Sequence, residues 1–543
     1  MFKDFIVALS LANLTFITIW EEVFIDFYEG TYFVDFPDYN SLKAVMFNVL
    51  LLTLILWGAM RLLRKSTSPV VQLAARALFL LLLIIPLSGA ASLLYSKFWA
   101  ISLLNLFGKG CLVALGVTLG ALALYDLACA RRYTIRVATV VLVLLSPFVV
   151  IQFGKAAWFW YEHTETVALA KDKPLAPTLP TKDNVKLRIV WVVFDELDYR
   201  LAFIKRPSSL RLPEFDRLRA QSIDASQAFS PGDFTLYSMP SLITGVVAKA
   251  ASAHSRDELL LFLRDKEKTV RWSTLPNVFT FARKAGFNTG LAGWFHPYCR
   301  IIRDLTACST QLRHWSANGL NGRLTVVETM LEQASELLPR TVPFVDQQIE
   351  YKNHKIRLEK QRHLELHLGV ANAAQELIVD RSLGLVLIHY PVPHPPGIYD
   401  RRQDKFTFEP AANYLDNLQL ADRTLGKLRH VMEEAKLWDD TIVLVTTDHP
   451  WRAEFFRGKL HWTPEEEDLV SHISAPDRRV PYLLKLAGQK QLYSYRQEFN
   501  TVITQELLLA LLRGELTHPE SVVRWLDQHR ATTHDNFSTE RLQ

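Results

Sequence analysis

Two acidic pairs stand out because each follows an unbroken apolar run. Residues 189–194 are six apolar side chains that end in Asp195 and Glu196, and 441–446, Thr-Ile-Val-Leu-Val-Thr, runs into Thr447, Asp448 and His449. A β-branched and aromatic run without polar alternation fits a strand buried on both faces of a parallel sheet. Open α/β sheets place their ligands just beyond the carboxyl ends of the strands. Carboxylates and an imidazole at two such ends would supply mixed oxygen and nitrogen ligands, which suit Zn²⁺ or Mn²⁺ better than Ca²⁺. Asp195, Glu196, Asp448 and His449 are therefore candidate metal ligands. Taken singly, either pair reads equally well as an acidic loop or a structural contact.

Between the two strands, 230–245 reads Ser-Pro-Gly-Asp-Phe-Thr-Leu-Tyr-Ser-Met-Pro-Ser-Leu-Ile-Thr-Gly. Pro231 and Gly232 mark a turn, and the stretch after them predicts a helix ending at Gly245. A hydroxyl at the start of such a helix, beside a dication, can ionise and attack phosphorus. Thr235 is the candidate nucleophile and metal neighbour, with Ser230, Ser238 and Ser241 as rivals. Without metal ligands nearby the same hydroxyl would be an ordinary helix cap.

The elements that must position these residues follow an α/β pattern. Strands are expected at 189–194, 288–292, 383–388 and 441–446, and helices at 347–378, 413–435, 501–512 and 519–529. A chain of 543 residues exceeds one ordinary core. Its first part is dense in Leu, Val, Ala and Phe, with about five stretches of spanning length near 5–20, 44–60, 74–95, 110–130 and 137–153. No small-residue cleavage site follows the first; Glu21 and Glu22 do. Arg61, Arg64, Lys65 and Arg76 after the second stretch, and Arg131, Arg132 and Arg136 after the fourth, place those loops in the cytoplasm. An odd number of spans then puts everything beyond residue 155 outside.

The expected organisation is a transmembrane helical domain at 1–155, an interfacial aromatic segment and Pro-rich linker at 156–182, a catalytic α/β domain at 183–530 and a polar tail at 531–543. A net charge of +5, without a basic run or interleaved aromatics, gives no sign of nucleic-acid binding. Cys111 and Cys129 lie in apolar segments. Cys299 and Cys308 lie nine apart in a soluble stretch, where an oxidising exterior favours a local disulfide. His296 is close to them and could line the site, although Pro297 suggests a simple loop.

An acidic strand end, a Thr ahead of Pro240-Ser-Leu-Ile-Thr-Gly245 and a late Asp-His resemble the alkaline-phosphatase superfamily, in particular its membrane-anchored, sulfatase-like members. Phosphoethanolamine transferases and lipoteichoic acid synthases share the plan of about five spans and an external catalytic domain. The stretch Thr235-Leu-Tyr-Ser-Met-Pro240 is similar to the one that holds the transferases' nucleophilic Thr, which favours Thr235 over its rivals. Residues 388–402 are similar to the family segment whose substrate-facing His would be His394. His461, twelve positions after His449, matches a His that helps bind phosphate or a second metal. The sulfatase pattern uses both acidic positions, whereas the transferases rely on the one matching Glu196.

Two departures have consequences. Pro450 stands where the family usually has Gly, so the loop after Asp-His must differ. Leu242 stands where the sulfatase signature has Arg, which argues against conversion of Ser238 to formylglycine and against sulfate-ester hydrolysis. The resemblance implies a metal-dependent phosphotransferase of the bacterial inner membrane working on its outer face. Such an enzyme would move a phospho-head group from a membrane phospholipid donor to a glycan or lipid acceptor through a phospho-threonine. The alternatives are a membrane-anchored phosphodiesterase or sulfatase-like hydrolase, and a non-catalytic membrane scaffold.

Overall fold

A computed structural model describes residues 2–33, 39–87, 89, 120–121, 124–125, 133–169, 175–180, 187–264, 268–312, 325–341, 345–459, 461–472 and 478–530. The chain divides into two compact units. One comprises Met1–Thr31, Phe36–Leu169 and His314–Lys352, and the other Tyr32–Asp35, Ala170–Arg313 and Asn353–Gln543.

The first unit is helical. Among the described residues, Tyr39–Lys65, Pro69–Leu87 and Tyr133–Tyr161 are long and apolar enough to cross a membrane, and a pair bent by 56°, Phe2–Thr15 and Ile17–Phe24, makes up to four. The expected spans at 5–20, 44–60 and 137–153 correspond to three of these, and the span at 74–95 overlaps Pro69–Leu87. The span at 110–130 falls almost wholly outside the described residues. Some buried polar groups inside this unit pair with one another across helices, as apolar bundles favour. Trp20 Nε1 donates to Asn13 Oδ1 at 3.1 Å, and Asn13 in turn donates to Gln152. A helix from the later sequence, Val326–Thr341, packs within this unit, with Asn48 Nδ2 donating to Gln333 Oε1 at 3.1 Å. The aromatic stretch after residue 155 continues the helix Ser146–Leu169, and 175–180 of the Pro-rich spacer has no regular structure. The polar tail at 531–543 lies outside the described residues.

The second unit is built on an eight-stranded mixed sheet. Its strands are β1 (Arg188–Asp195), β2 (Ile223–Ala225), β3 (Asn288–Trp294), β4 (Ala307–Gln311), β5 (Leu383–Pro393), β6 (Thr441–Thr447), β7 (Tyr482–Lys485) and β8 (Tyr493–Tyr495). Their order is β8-β2-β7-β6-β1-β5-β3-β4. The central strands β6, β1, β5 and β3 run parallel, and each of the four expected strands is among them. All eight residues of β1 are buried, as an apolar run covered on both faces must be. One face carries Ile189, Trp191 and Val193 into a core with Leu385 and Leu387, and the other carries Val190, Val192 and Phe194 into a core with Val386 and Ile388.

Three helices bear on the site and its flank: α1 (Thr235–Thr244), α2 (Val345–Val379) and α3 (Tyr414–Glu434). Helix α3 starts on a reciprocal capping box between Asn413 and Asp416, which satisfies two of its otherwise unpaired amides. The fold is therefore mixed α/β behind an N-terminal region of apolar helices. Cys299 and Cys308 are disulfide-bonded, which locks the short helix Tyr298–Ile301 to β4.

Candidate metal centre and nucleophile

Register alone brings the acidic strand ends together. Strand β1 lies beside β6 with Phe194 opposite Thr447, so Asp195 and Asp448 emerge side by side at the same edge. On its other flank β1 pairs with β5, Val193 opposite His389, before a shift places Asp195 opposite Pro393. Glu196 leaves the strand with φ at 64°. That left-handed backbone is uncommon outside glycine.

Helix α1 delivers the hydroxyl. Gly232 lets the preceding turn pass beneath Tyr237, whose ring would collide with any Cβ there. The helix ends at Gly245, φ 69°, with the Gly245 amide bonded to the Ser241 carbonyl, as a left-handed C-terminal cap requires. Thr235 occupies the first turn, where unpaired amides and the helix dipole favour negative charge. Its Oγ1 lies 3.3 Å from Asp195 Oδ2 and 3.1 Å from His449 Nε2. His449 Nε2 is 3.3 Å from Asp448 Oδ2 and 3.9 Å from Asp195 Oδ1, and its Nδ1 is 3.9 Å from Glu196 Oε1. Five of the seven expected site residues thus meet at one point: Asp195, Glu196, Thr235, Asp448 and His449.

The other two meet elsewhere. The rings of His394 and His461 both pack on Phe456, with centroids at 5.4 and 5.6 Å. The His394 amide donates to the Asp195 carbonyl at 3.1 Å, so its backbone is tied to the metal-site strand end. The rival serines carry structural bonds. Ser238 donates to the Asp448 carbonyl, Ser241 to the Tyr237 carbonyl, and Ser230 to the Gly232 carbonyl.

Sequence reasoning passed over two neighbours and undervalued a third. His389 lies 3.8 Å from Asp195 Oδ2 and is held through Nδ1 by the Tyr298 hydroxyl at 2.9 Å. The stretch containing it was legible, but a histidine inside an apolar strand gave no sign of which way it faced. Arg452 pairs with Glu196 Oε1 at 2.7 Å, and nothing distinguished it from other basic loop residues. His296 lines the centre, Pro297 notwithstanding. Its Nε2 lies 3.0 Å from the Thr235 carbonyl and its Nδ1 2.8 Å from the Tyr32 hydroxyl. The loop that begins at Pro450 builds part of the wall. Trp451 stacks on Tyr414 at 4.2 Å, Tyr414 donates to the Glu196 carbonyl at 2.7 Å, and Arg452 is thereby set against Glu196.

The electrostatics ask for a cation. Asp195, Glu196, Asp448, His389 and His449 are all fully buried. Burial pushes Asp195 well above the usual carboxylate range, reinforced by the charges of Asp448 and Glu196. Burial also pushes Glu196 up to about 7 against the pull of Arg452, and pushes His389 down to about 4. Asp195 Oδ1, Glu196 Oε2, Asp448 Oδ2 and His389 Nε2 have no hydrogen-bond partner among the described residues. Buried polar atoms are seldom left in that state. Ligand atoms of Asp195, Glu196 and His449 lie within 4.8 Å of one another, as do those of Asp195, His389 and Asp448. The residues fit a divalent metal.

A family model described as Sulfatase matches residues 188–508. No curated protein sequence matches. Among solved structures, the lipoteichoic acid synthase LtaP from Listeria monocytogenes is similar at 12% identity and a TM-score of 0.37, over 62% of this chain and 75% of that one. The phosphonate monoester hydrolase SpPMH from Silicibacter pomeroyi is similar at 14% identity and a TM-score of 0.35, over 60% and 73%. The PsFucS1 sulfatase from Pseudoalteromonas sp. is similar at 13% identity and a TM-score of 0.38, over 61% and 68%.

Proposed function

The chain belongs to the sulfatase family of the alkaline-phosphatase superfamily, and on that premise we propose that it is a membrane-anchored, metal-dependent phosphotransferase. It moves a phospho-head group from a membrane phospholipid to a hydroxyl on a glycan or lipid. The observation that carries this reading is Thr235, whose hydroxyl sits at a helix N-terminus within hydrogen-bond reach of both Asp195 and His449. A sulfate ester is a poorer substrate class for this site. Ser238, the residue at the start of the sulfatase-type stretch, spends its hydroxyl on the Asp448 carbonyl, and Leu242 replaces the Arg of that pattern.

Asp195, Glu196, Asp448 and His449 would hold the metal, Zn²⁺ or Mn²⁺ by the chemistry of the donor set. When bound, such a cation lowers the pKa of an adjoining hydroxyl and offsets charge on phosphate oxygens. The protein's own part is acid–base and positional. Asp195 takes the Thr235 proton through the hydrogen bond it already accepts. Thr235 Oγ1 bonds to phosphorus as the bond from phosphorus to the lipid alcohol breaks, and His394 or His461 protonates the departing alcohol or steadies the phosphate oxygens. In the second half an acceptor hydroxyl gives its proton to the histidine that protonated the first alcohol and bonds to phosphorus, the bond to Thr235 breaks, and the threonine recovers its proton from Asp195. The cycle is ping-pong through phospho-Thr235.

The basic loops after the second and fourth apolar stretches support an inner-membrane protein with this unit outside, where lipid donor and acceptor both reside. Purified protein incubated with phospholipid and a soluble glycan acceptor tests the reading. Release of diacylglycerol matched by phosphorylated acceptor supports it. Free alcohol with free phosphorylated head group and no acceptor product makes the protein a hydrolase instead.

A further inference from the structure

A cavity lies in the α/β unit, between α2, α3 and the hairpin formed by Tyr399–Asp400 and Lys405–Phe406. Its volume is about 400 Å³, within the range of small-ligand sites. It is separated from the metal centre by the sheet. Tyr390, which lines it, follows His389 on β5, and successive strand residues point to opposite faces. His389 faces Asp195, whereas Tyr390 stacks on Phe194 at 5.4 Å on the other side.

The lining combines three kinds of chemistry. Tyr390, Tyr399 and Phe406 supply aromatic walls, and Phe406 is 42% exposed. Arg423 is neutralised by Asp404 at 2.6 Å, but Lys405 and Lys427 have no carboxylate partner among the described residues. The cavity therefore keeps two uncompensated positive charges. His367 lies at its inner wall, buried at 3% exposure, with its ring 6.1 Å from Tyr390 and 6.2 Å from Phe406. Its Nδ1 has no hydrogen-bond partner among the described residues. Burial and the nearby Lys427 push this imidazole down to about 4, so at neutral pH it is an uncharged group able to bond a hydroxyl.

We propose that this cavity binds an anionic sugar residue, independently of the reaction assigned to the metal centre. The C–H face of a pyranose packs on aromatic rings, its hydroxyls satisfy His367 Nδ1, and its phosphate or carboxylate meets Lys405 and Lys427. A neutral sugar leaves the lysines without a counter-charge. A simple anion leaves the aromatic walls and the imidazole unused. The site would hold a charged glycan against the flank of the catalytic unit.

Calorimetric titration of the full-length chain in detergent tests this, using glucose 6-phosphate with glucose, inorganic phosphate and adenosine monophosphate as comparators. The expected result is saturable binding of glucose 6-phosphate, with glucose and phosphate each weaker by at least roughly tenfold. Lys405→Glu with Lys427→Glu should remove that binding, and Phe406→Ala should weaken it, while Asp448→Asn should leave it intact. Absence of saturable binding overturns the proposal. So do equal binding of phosphate alone, tighter binding of adenosine monophosphate, or binding that survives the double lysine reversal.

Discussion

The His296 imidazole lies with Nε2 3.0 Å from the carbonyl oxygen of Thr235. This contact fixes the backbone of the residue that, in the proposed reaction, presents its hydroxyl to the candidate metal ligands. Burial pushes His296 down to about 3, so it acts as a neutral bridge, with Nε2 toward Thr235 and Nδ1 toward Tyr32. We predict that His296→Ala lowers kcat for a nitrophenyl phosphodiester by roughly ten- to a hundredfold, since displacement of a reacting atom by about 1 Å costs that much. KM and metal content should stay close to wild type, and His296→Gln should recover part of the rate. Loss of bound metal in His296→Ala would make the residue a structural support of the whole centre instead.

Arg452 is the charge that Glu196 meets at 2.7 Å, and it would compete with a cation bound at the same carboxylate. Removing it leaves the pocket more anionic. Arg452→Ala is expected to hold metal more tightly, surviving a several-fold higher chelator concentration before activity is lost. Asp448→Asn, which loses a ligand charge, should purify with little metal. Weaker metal retention in Arg452→Ala would show that the guanidinium organises the ligands rather than competing for them.

The legible part of the site was the part written in contiguous residues. Asp195 and Asp448 each end an apolar run, and the turn, helix start and left-handed Gly245 around Thr235 were encoded within sixteen positions. What escaped was set by tertiary contact. His389 belongs to the centre because strand pairing sets it opposite Val193, two residues before Asp195 on the same face of the sheet. The three-stranded sheet of Ala248–Ser255, Glu258–Leu263 and Thr269–Arg271 was missed, because its first strand is mostly exposed Ala, Ser and Lys, which lack the β-branched signal of a buried strand. The helix Val326–Thr341 reads from sequence as part of the α/β domain, yet it packs on Asn48. No local pattern announces that.

Asp422 gives a pH signature away from the metal. Its Oδ1 accepts from the amides of Glu214 and Phe215 at 3.0 and 2.8 Å, yet burial pushes its pKa up to about 7. An unfolded aspartate titrates near ~3.9. Between those values the folded state holds the proton more tightly, so this residue's contribution to stability is full below the unfolded value and is lost as pH rises toward 7. Asp422→Asn keeps an acceptor for both amides and removes the titration. Its melting temperature relative to wild type should climb from about pH 4.5 to about pH 7 and then level off, as measured in detergent by light scattering or fluorescence. A difference that stays constant across that range contradicts the assignment.

The Cys299–Cys308 bridge closes a short loop beside Tyr298, whose hydroxyl holds His389 at 2.9 Å. Replacing both cysteines with serine should cost about 2–3 kcal/mol, the usual effect of opening a loop of this size. A denaturant midpoint unchanged by the double substitution would mean the bridge constrains nothing that folding depends on.

The proposed chemistry turns on Thr235 becoming covalently linked to phosphorus. Purified protein incubated with isotopically labelled phospholipid, without acceptor, and then mapped by peptide mass spectrometry tests it. The expected result is a phospho-adduct on Thr235 that is absent from Thr235→Ala and disappears when acceptor is added. An adduct on any other residue, or turnover by Thr235→Ala at the wild-type rate, would contradict it.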